Sequence, residues 1–252
     1  MTLTAHVATL TLDASEDLRA LARPAMPSRL PRARRADGRA TRRRVVAAAT
    51  RLFAASGYEA TSLRQIAGAA AIDLATLKYH FGDKPTLFAE VYREGHERFV
   101  TMIAPHLAAF AECSTRDEVR AAIGGLAADV VPWIQSEEAF ARLVQFRLLE
   151  DSDDITGLEA ELQDVAVSML EEAFDAMQAR GMIRDVDVPA LLTLCVTGLP
   201  MWFVAARVRP GWVGEPETSP TPEAFTDRVV AFVDDLLCGV LLAREPVAES
   251  DA

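Results

Sequence analysis

Residues 62–81 read SLRQIAGAAAIDLATLKYHF, and the folding of this stretch decides how the rest of the chain is read. Leu63, Ile66 and Ala70 recur at helical spacing, so a short amphipathic helix is expected, starting at Thr61 or Ser62. Ser62 with Gln65 fits a capping box, in which hydroxyl and amide cover orphan N–H groups of the first turn. After a tight turn, Asp73 is placed to cap a second short helix that runs through His80. Leu77 and Phe81 hold it to a core, and Gly82 ends it. Two helices fixed at an angle by apolar contacts, with polar and cationic residues left free on the second, form a helix-turn-helix. A second helix of that kind fits the major groove of DNA.

Upstream, the helical period begins at Thr41. Val45, Val46, Ala49, Leu52 and Phe53 make one apolar face, and Gly57 ends it as a C′ residue. Downstream, Asp83 with Pro85 in the following first turn opens a long helix whose stripe starts with Leu87, Phe88, Val91 and Tyr92. Further helices are expected near 86–110, 116–135, 137–150, 156–180, 188–208 and 223–243, with Pro132 and Pro200 as points of kinking or breakage. No strand alternation is visible, so the fold is read as all-α with about nine helices. Residues 1–38 have no sustained period, contain Pro24, Pro27 and Pro31, and read as a disordered tail that becomes a basic arm. Met26 is an alternative translation start. Residues 209–222 read as a loop and 244–252 as a disordered C-terminus.

The net charge of −11 at first argues against a nucleic-acid partner, but its distribution reverses that inference. Residues 29–44 carry eight Arg against one Asp, a local +7. Residues 45–100 balance at six basic and six acidic, whereas 101–252 hold ten basic and 27 acidic, a local −17. Affinity for DNA depends on the potential that faces the phosphates, so the basic end is the one expected to meet the duplex.

Other classes are thinly supported. Cys113, Cys195 and Cys238 have no paired or metal-ligand spacing, which suggests a reducing compartment and small buried hydrophobes. His6, His80, His96 and His106 are scattered without an HExxH pair, and no phosphate loop or nucleophile elbow appears, so neither enzyme, metal site nor cofactor is expected. No secretory signal is visible. Val188 to Ala206 is 19 residues without a charge, which approaches membrane-spanning length, but Thr193, Thr197, Gly198 and Pro200 favour a helix buried all round in a core or subunit interface. A cytoplasmic protein with no membrane partner is expected.

The stretch TRRRVVAAATRLFAASGYEATSLRQIAGAAAIDLATLKYHFGDKPTLFAEVY, residues 41–92, resembles the N-terminal DNA-binding domain of TetR-family transcriptional regulators. LFAASGYEATSLRQIA and TLKYHFGDK carry most of the likeness, and QFRLLEDSD at 145–153 faintly resembles part of some members' effector domain. The resemblance implies a three-helix DNA-binding domain over 39–84, with the helix-turn-helix at 62–81. A helical ligand-binding and dimerisation domain over 85–243 follows it. It also implies a homodimer on a palindromic operator, released by a small, largely apolar ligand; a regulator without a small-molecule effector, activator or partner-controlled, is the alternative. Two positions depart from the family pattern. Ala71 stands where glycine is common, so the turn must avoid positive φ or accept strain. Lys78 stands where an aromatic residue is frequent.

By alignment of these motifs, Leu74, Ala75 and Lys78 face the groove and Arg64 reaches an adjacent base. Lys78 or Arg64 can donate to guanine, and Leu74 or Ala75 can touch a thymine methyl. Thr76, Tyr79, His80, Lys84 and either Thr61 or Ser62 are expected at phosphates, with Arg42 and Arg43 from the arginine arm. Tyr79 and His80 have a structural alternative as covers of the small core, and Lys84 as a solvated helix-start residue. For the effector, Met102, Trp133, Phe140, Phe146, Met169, Phe174, Met177, Trp202 and Phe203 are candidate pocket residues, although aromatics at helical spacing also serve as core. Arg147, three residues from Glu150, either orients a polar ligand group or forms a structural ion pair. The acidic run 150–154 reads as a solvated loop. Leu191, Leu194, Leu199, Phe203, Phe225, Val229, Phe232, Val233, Leu236 and Val240 are interface or core candidates in the last two helices.

Overall fold

The computed structural model describes residues 32–149, 156–208 and 222–242, all within helices or the short connections between them. The helices are α1 (Arg32–Ser56), α2 (Leu63–Ala69), α3 (Leu74–Phe81), α4 (Lys84–Glu112), α5 (Arg116–Ser136), α6 (Glu138–Arg147), α7 (Thr156–Ala179), α8 (Val188–Val208) and α9 (Pro222–Leu241). These nine are the helices among the described residues, and no strand occurs among them. The fold is all-α. The expected tail of residues 1–31, Glu150 with the acidic run, most of the 209–222 loop and the C-terminus lie outside the described residues.

One boundary is corrected. The helix expected to begin at Thr41 begins at Arg32, so residues 32–38 are helix and not an irregular arm. Gly38 suggests punctuation, but a single glycine costs a helix only about 1 kcal/mol, which anchoring further along can offset. The far end matches expectation: the Gly57 N–H donates to Phe53 O at 2.8 Å and the residue has φ 79°.

By contacts the described chain divides into two units. One contains residues 32–101 and 134–149 with 156–166. Its core is an aromatic stack in which Phe88 meets Phe53 at 5.1 Å, Tyr58 at 5.1 Å and Tyr92 at 5.9 Å. α1 packs on α2, and α2 on α3; α6 lies against α1, and Ala48 and Ala49 of α1 are buried. On α4, the Phe140 ring of α6 rests directly over Gly95, where an added Cβ would stand 2.1 Å from it. Arg98 Nε and Nη2 donate to the two Glu137 carboxylate oxygens at 2.9 Å, a two-pronged link between α4 and the start of α6.

The other unit contains residues 102–133, 167–208 and 222–242. Phe110 of α4 meets Phe174 of α7 edge-on at 6.3 Å. Arg180, just past α7, donates to Cys113 O at 2.9 Å and Ala111 O at 3.3 Å, satisfying carbonyls that α4 leaves orphaned at its end. Trp202 and Phe203 of α8 pack on Phe232 and Phe225 of α9. Helices run through Pro105, Pro132 and Pro200. No helix of the described residues is long and apolar enough to cross a membrane. The expectation that α8 is buried all round is not met within this chain: Val188, Leu199 and Pro200 are buried, but Leu194 and Met201 are exposed.

Candidate nucleic-acid interface

The site is built on the two short helices. Ser62 Oγ accepts from the Gln65 N–H at 3.3 Å, and Gln65 Oε1 accepts from the Ser62 N–H at 2.8 Å, so the capping box is present in both directions. At the other end of α2, the Ala71 N–H donates to Gly68 O and the Ile72 N–H to Ala67 O, the paired bonds of a Schellman turn. That turn needs a left-handed residue at C′, and Ala71 supplies it with φ 53°, accepting the strain. Asp73 then starts α3: its carboxylate accepts from the Thr76 N–H at 2.6 Å and from the Thr76 hydroxyl at 3.0 Å. Those bonds hold the exposed Asp73 carboxyl below its ordinary pKa.

Because α3 is pinned from below by buried Leu77 and Phe81, its opposite side is fixed. Ala75, Lys78 and Tyr79 point to solvent, with Tyr79 72% exposed, and Leu74, Thr76 and His80 are half-buried at the edges. Arg64, Ser62 and Arg43 are also exposed in the same unit. This is a small-domain face with cations and short side chains at its centre, the form that enters a major groove.

Several expected phosphate-binding side chains have internal partners. Thr61 is buried, its hydroxyl donating to Gly57 O at 2.8 Å and Leu52 O at 3.3 Å, so it is Ser62 of the two that stays accessible. The Thr76 hydroxyl serves the Asp73 cap. Lys84 Nζ donates to Tyr58 O at 2.9 Å and sits 4.1 Å from the centre of the Tyr58 ring, which explains a cation at a helix N-terminus without recourse to DNA. Arg42 is partly exposed but committed to partners within the domain: Nη1 donates to His80 O at 2.8 Å, Nη2 pairs with Glu90, and the guanidinium covers the Phe81 ring at 4.5 Å. Burial and then the Arg42 charge lower the His80 pKa, which disfavours the charged imidazolium. Arg39 and Arg44, exposed on α1, are not singled out by sequence; Arg39 is one helical turn before Arg43, and Arg44 directly follows it.

The effector candidates fall in both units. Phe140 is core, against Tyr92 at 5.9 Å and His96 at 6.2 Å, and Arg147 is buried beside half-buried Phe146. In the other unit Met169, Phe174 and Met177 are buried, while Met102, Trp133, Trp202 and Phe203 are half-buried. Trp202 Nε1 is buried without a hydrogen-bond partner.

A three-helix domain with an outward recognition helix, followed by long helices, is the architecture of a DNA-binding transcriptional regulator. Residues 45–91 match the family described as bacterial regulatory proteins, tetR family. Among solved structures, the TetR family transcriptional regulator PfmR from Thermus thermophilus is 23% identical with a TM-score of 0.55, covering 80% of this chain and 97% of its own. A SmeT–triclosan complex is 16% identical with a TM-score of 0.57, covering 83% and 100%. AibR in complex with isovaleryl coenzyme A and operator DNA is 21% identical with a TM-score of 0.50, covering 76% and 97%. No match was found among curated proteins. Residues 45–91 thus carry a tetR-family domain, and the chain shares its fold with TetR-family regulators.

Proposed function

We propose that the chain is a repressor that binds a palindromic operator as a homodimer and leaves it when a small, largely apolar ligand binds. The observation that carries the DNA half of this reading is α3, which buries Leu77 and Phe81 and turns Ala75, Lys78 and Tyr79 outward. Lys78 and Arg64 are the base-reading cations, Leu74 and Ala75 the apolar contacts, and Ser62, Tyr79, His80 and Arg43 the phosphate contacts. Residues 39–84 are the DNA-binding part and 85–243 the effector and dimerisation part.

Dimerisation through the last two helices is supported by the apolar side chains they leave uncovered: Leu194 is 55% exposed, Met201 47% and Phe232 43%. Ligand control is supported by the unpartnered indole N–H of Trp202, a donor that an oxygen-bearing apolar molecule would satisfy. Proteins that share this fold have been seen holding small molecules, SmeT with triclosan and AibR with isovaleryl coenzyme A. The packing of Met169, Phe174 and Met177 as core favours the second reading, a regulator without a small-molecule effector.

The test is a set of operator variants titrated with wild type and Lys78→Ala. A base-reading lysine changes the order of preference by about 1–3 kcal/mol at one position. An unchanged order removes Lys78 from base reading. Release of the bound operator by an apolar compound that also raises Tm supports induction, and a regulator indifferent to every such compound belongs to the second reading.

A further inference from the structure

We infer that the amino-terminal half of α1 is a second DNA-contacting surface, in which Arg39, Arg43 and Arg44 dock on phosphates flanking the half-site. This rests on the DNA-binding reading above and extends it beyond the helix-turn-helix. α1 starts at Arg32, thirteen residues ahead of Val45, where the family match begins. Those thirteen residues carry seven Arg and one Asp.

As a free helix this segment is poorly arranged. Positive charge at an N-terminus opposes the helix dipole, and the first turn has no acidic residue to offset it. Arg39 and Arg43 are also a like-charge pair at i,i+4. A polyanion lying alongside relieves both costs.

The structure separates the arginines by role. Arg42 is the brace, bonded to His80 O, to Glu90 and to the Phe81 ring face, so it joins α1 to the end of the recognition helix. Gly38 lies against the same place, where an added Cβ would be 3.9 Å from the His80 imidazole. Arg39, Arg43 and Arg44 are left exposed on the helix thus anchored, and Arg43 and Arg44 border a shallow groove along it with Asp37, Ala40, Thr41 and Ala47, so two arginines there face one carboxylate. The cationic surface therefore begins beside the recognition helix and continues away from it. From Arg39 to Arg44 a helix rises about 7.5 Å, which limits the added contact to roughly two phosphate spacings of one strand.

The experiment uses the full chain and duplexes carrying its selected operator, either trimmed to the half-sites or extended by about five base pairs at each end. Kd is measured across salt concentration for wild type, for the Arg39→Ala, Arg43→Ala, Arg44→Ala triple variant and for the corresponding triple lysine variant. The expected result is tighter wild-type binding to the extended duplex. The alanine variant loses that preference, and its log–log salt slope is shallower by about 2.7 per chain. Between 50 and 200 mM salt this amounts to about 40-fold less salt sensitivity per chain. The lysine variant keeps the slope, because phosphate docking needs only the charge.

An alanine variant with the wild-type slope and flank dependence overturns the inference and leaves the helix-turn-helix reading intact. If that variant fails to fold, the wild-type chain decides alone: indifference to flank length overturns the proposal. A wild-type chain that binds no duplex at all overturns the DNA reading itself.

Discussion

Replacing Ala71 with glycine should stabilise the DNA-binding domain, against the usual expectation that glycine weakens a helical segment. Ala71 sits at φ 53° in the turn between α2 and α3, and its side chain is exposed, so no packing is lost with the methyl group. An L-residue in this left-handed region costs roughly 1–2 kcal/mol. Glycine removes that cost but gives back about 0.5–1 kcal/mol through the greater freedom of the unfolded chain. The net gain is about 0.5–1 kcal/mol, which for a chain of this size is a rise of roughly 1–4 °C in Tm. Chemical denaturation followed by circular dichroism reads the change directly. Ala71→Val is the control: a β-branched residue is less tolerant of positive φ and should lower stability by more than glycine raises it. A glycine variant that is neutral or less stable than wild type would refute a left-handed turn at this position.

Gly95→Ala should destabilise by about 1–3 kcal/mol, since the new methyl would stand 2.1 Å from the buried Phe140 ring, and a shift in denaturation midpoint measures it. His96 is buried among Tyr92, Phe99 and Phe140, and burial lowers its pKa to about 4. Folding therefore favours the neutral ring. The associated stability is complete above pH 6.5 and is lost as pH falls from there towards 4, up to about 3 kcal/mol in all. Stability measured against pH should show this decline in wild type and a smaller one in His96→Phe; equal declines would assign the acid sensitivity elsewhere. Asp73→Ala should destabilise at neutral pH, and its difference from wild type should shrink as pH falls through the lowered pKa of the carboxyl.

The parts of the fold governed by local rules are legible in the sequence. Ser62 with Gln65, Asp73 and Gly57 each settle a helix end through bonds to backbone three or four residues away, and the structure bears out all three. The alternation of buried Leu77 and Phe81 with exposed Ala75 and Lys78 follows from period alone. What sequence does not show is long-range partnership. Arg42 is 38 residues from the carbonyl it holds and Lys84 is 26 from its own, so both look like free cations available to phosphate. Thr61 and Ser62 are equivalent by composition, and only the approach of Leu52 and Gly57 distinguishes the buried hydroxyl from the accessible one. The early start of α1 is hidden for the same reason, because its anchor is the end of α3. Ala71 presents a choice between two backbone conformations, and the Schellman bonds to Ala67 and Gly68 decide it.

The most direct measurement is selection of bound duplexes from a random pool by the purified full chain. The account predicts enrichment of a two-fold symmetric sequence with half-sites about one or more helical turns apart, whose order of preference Lys78→Ala alters. A pool that stays random after repeated selection, at salt low enough to permit contact, would contradict it.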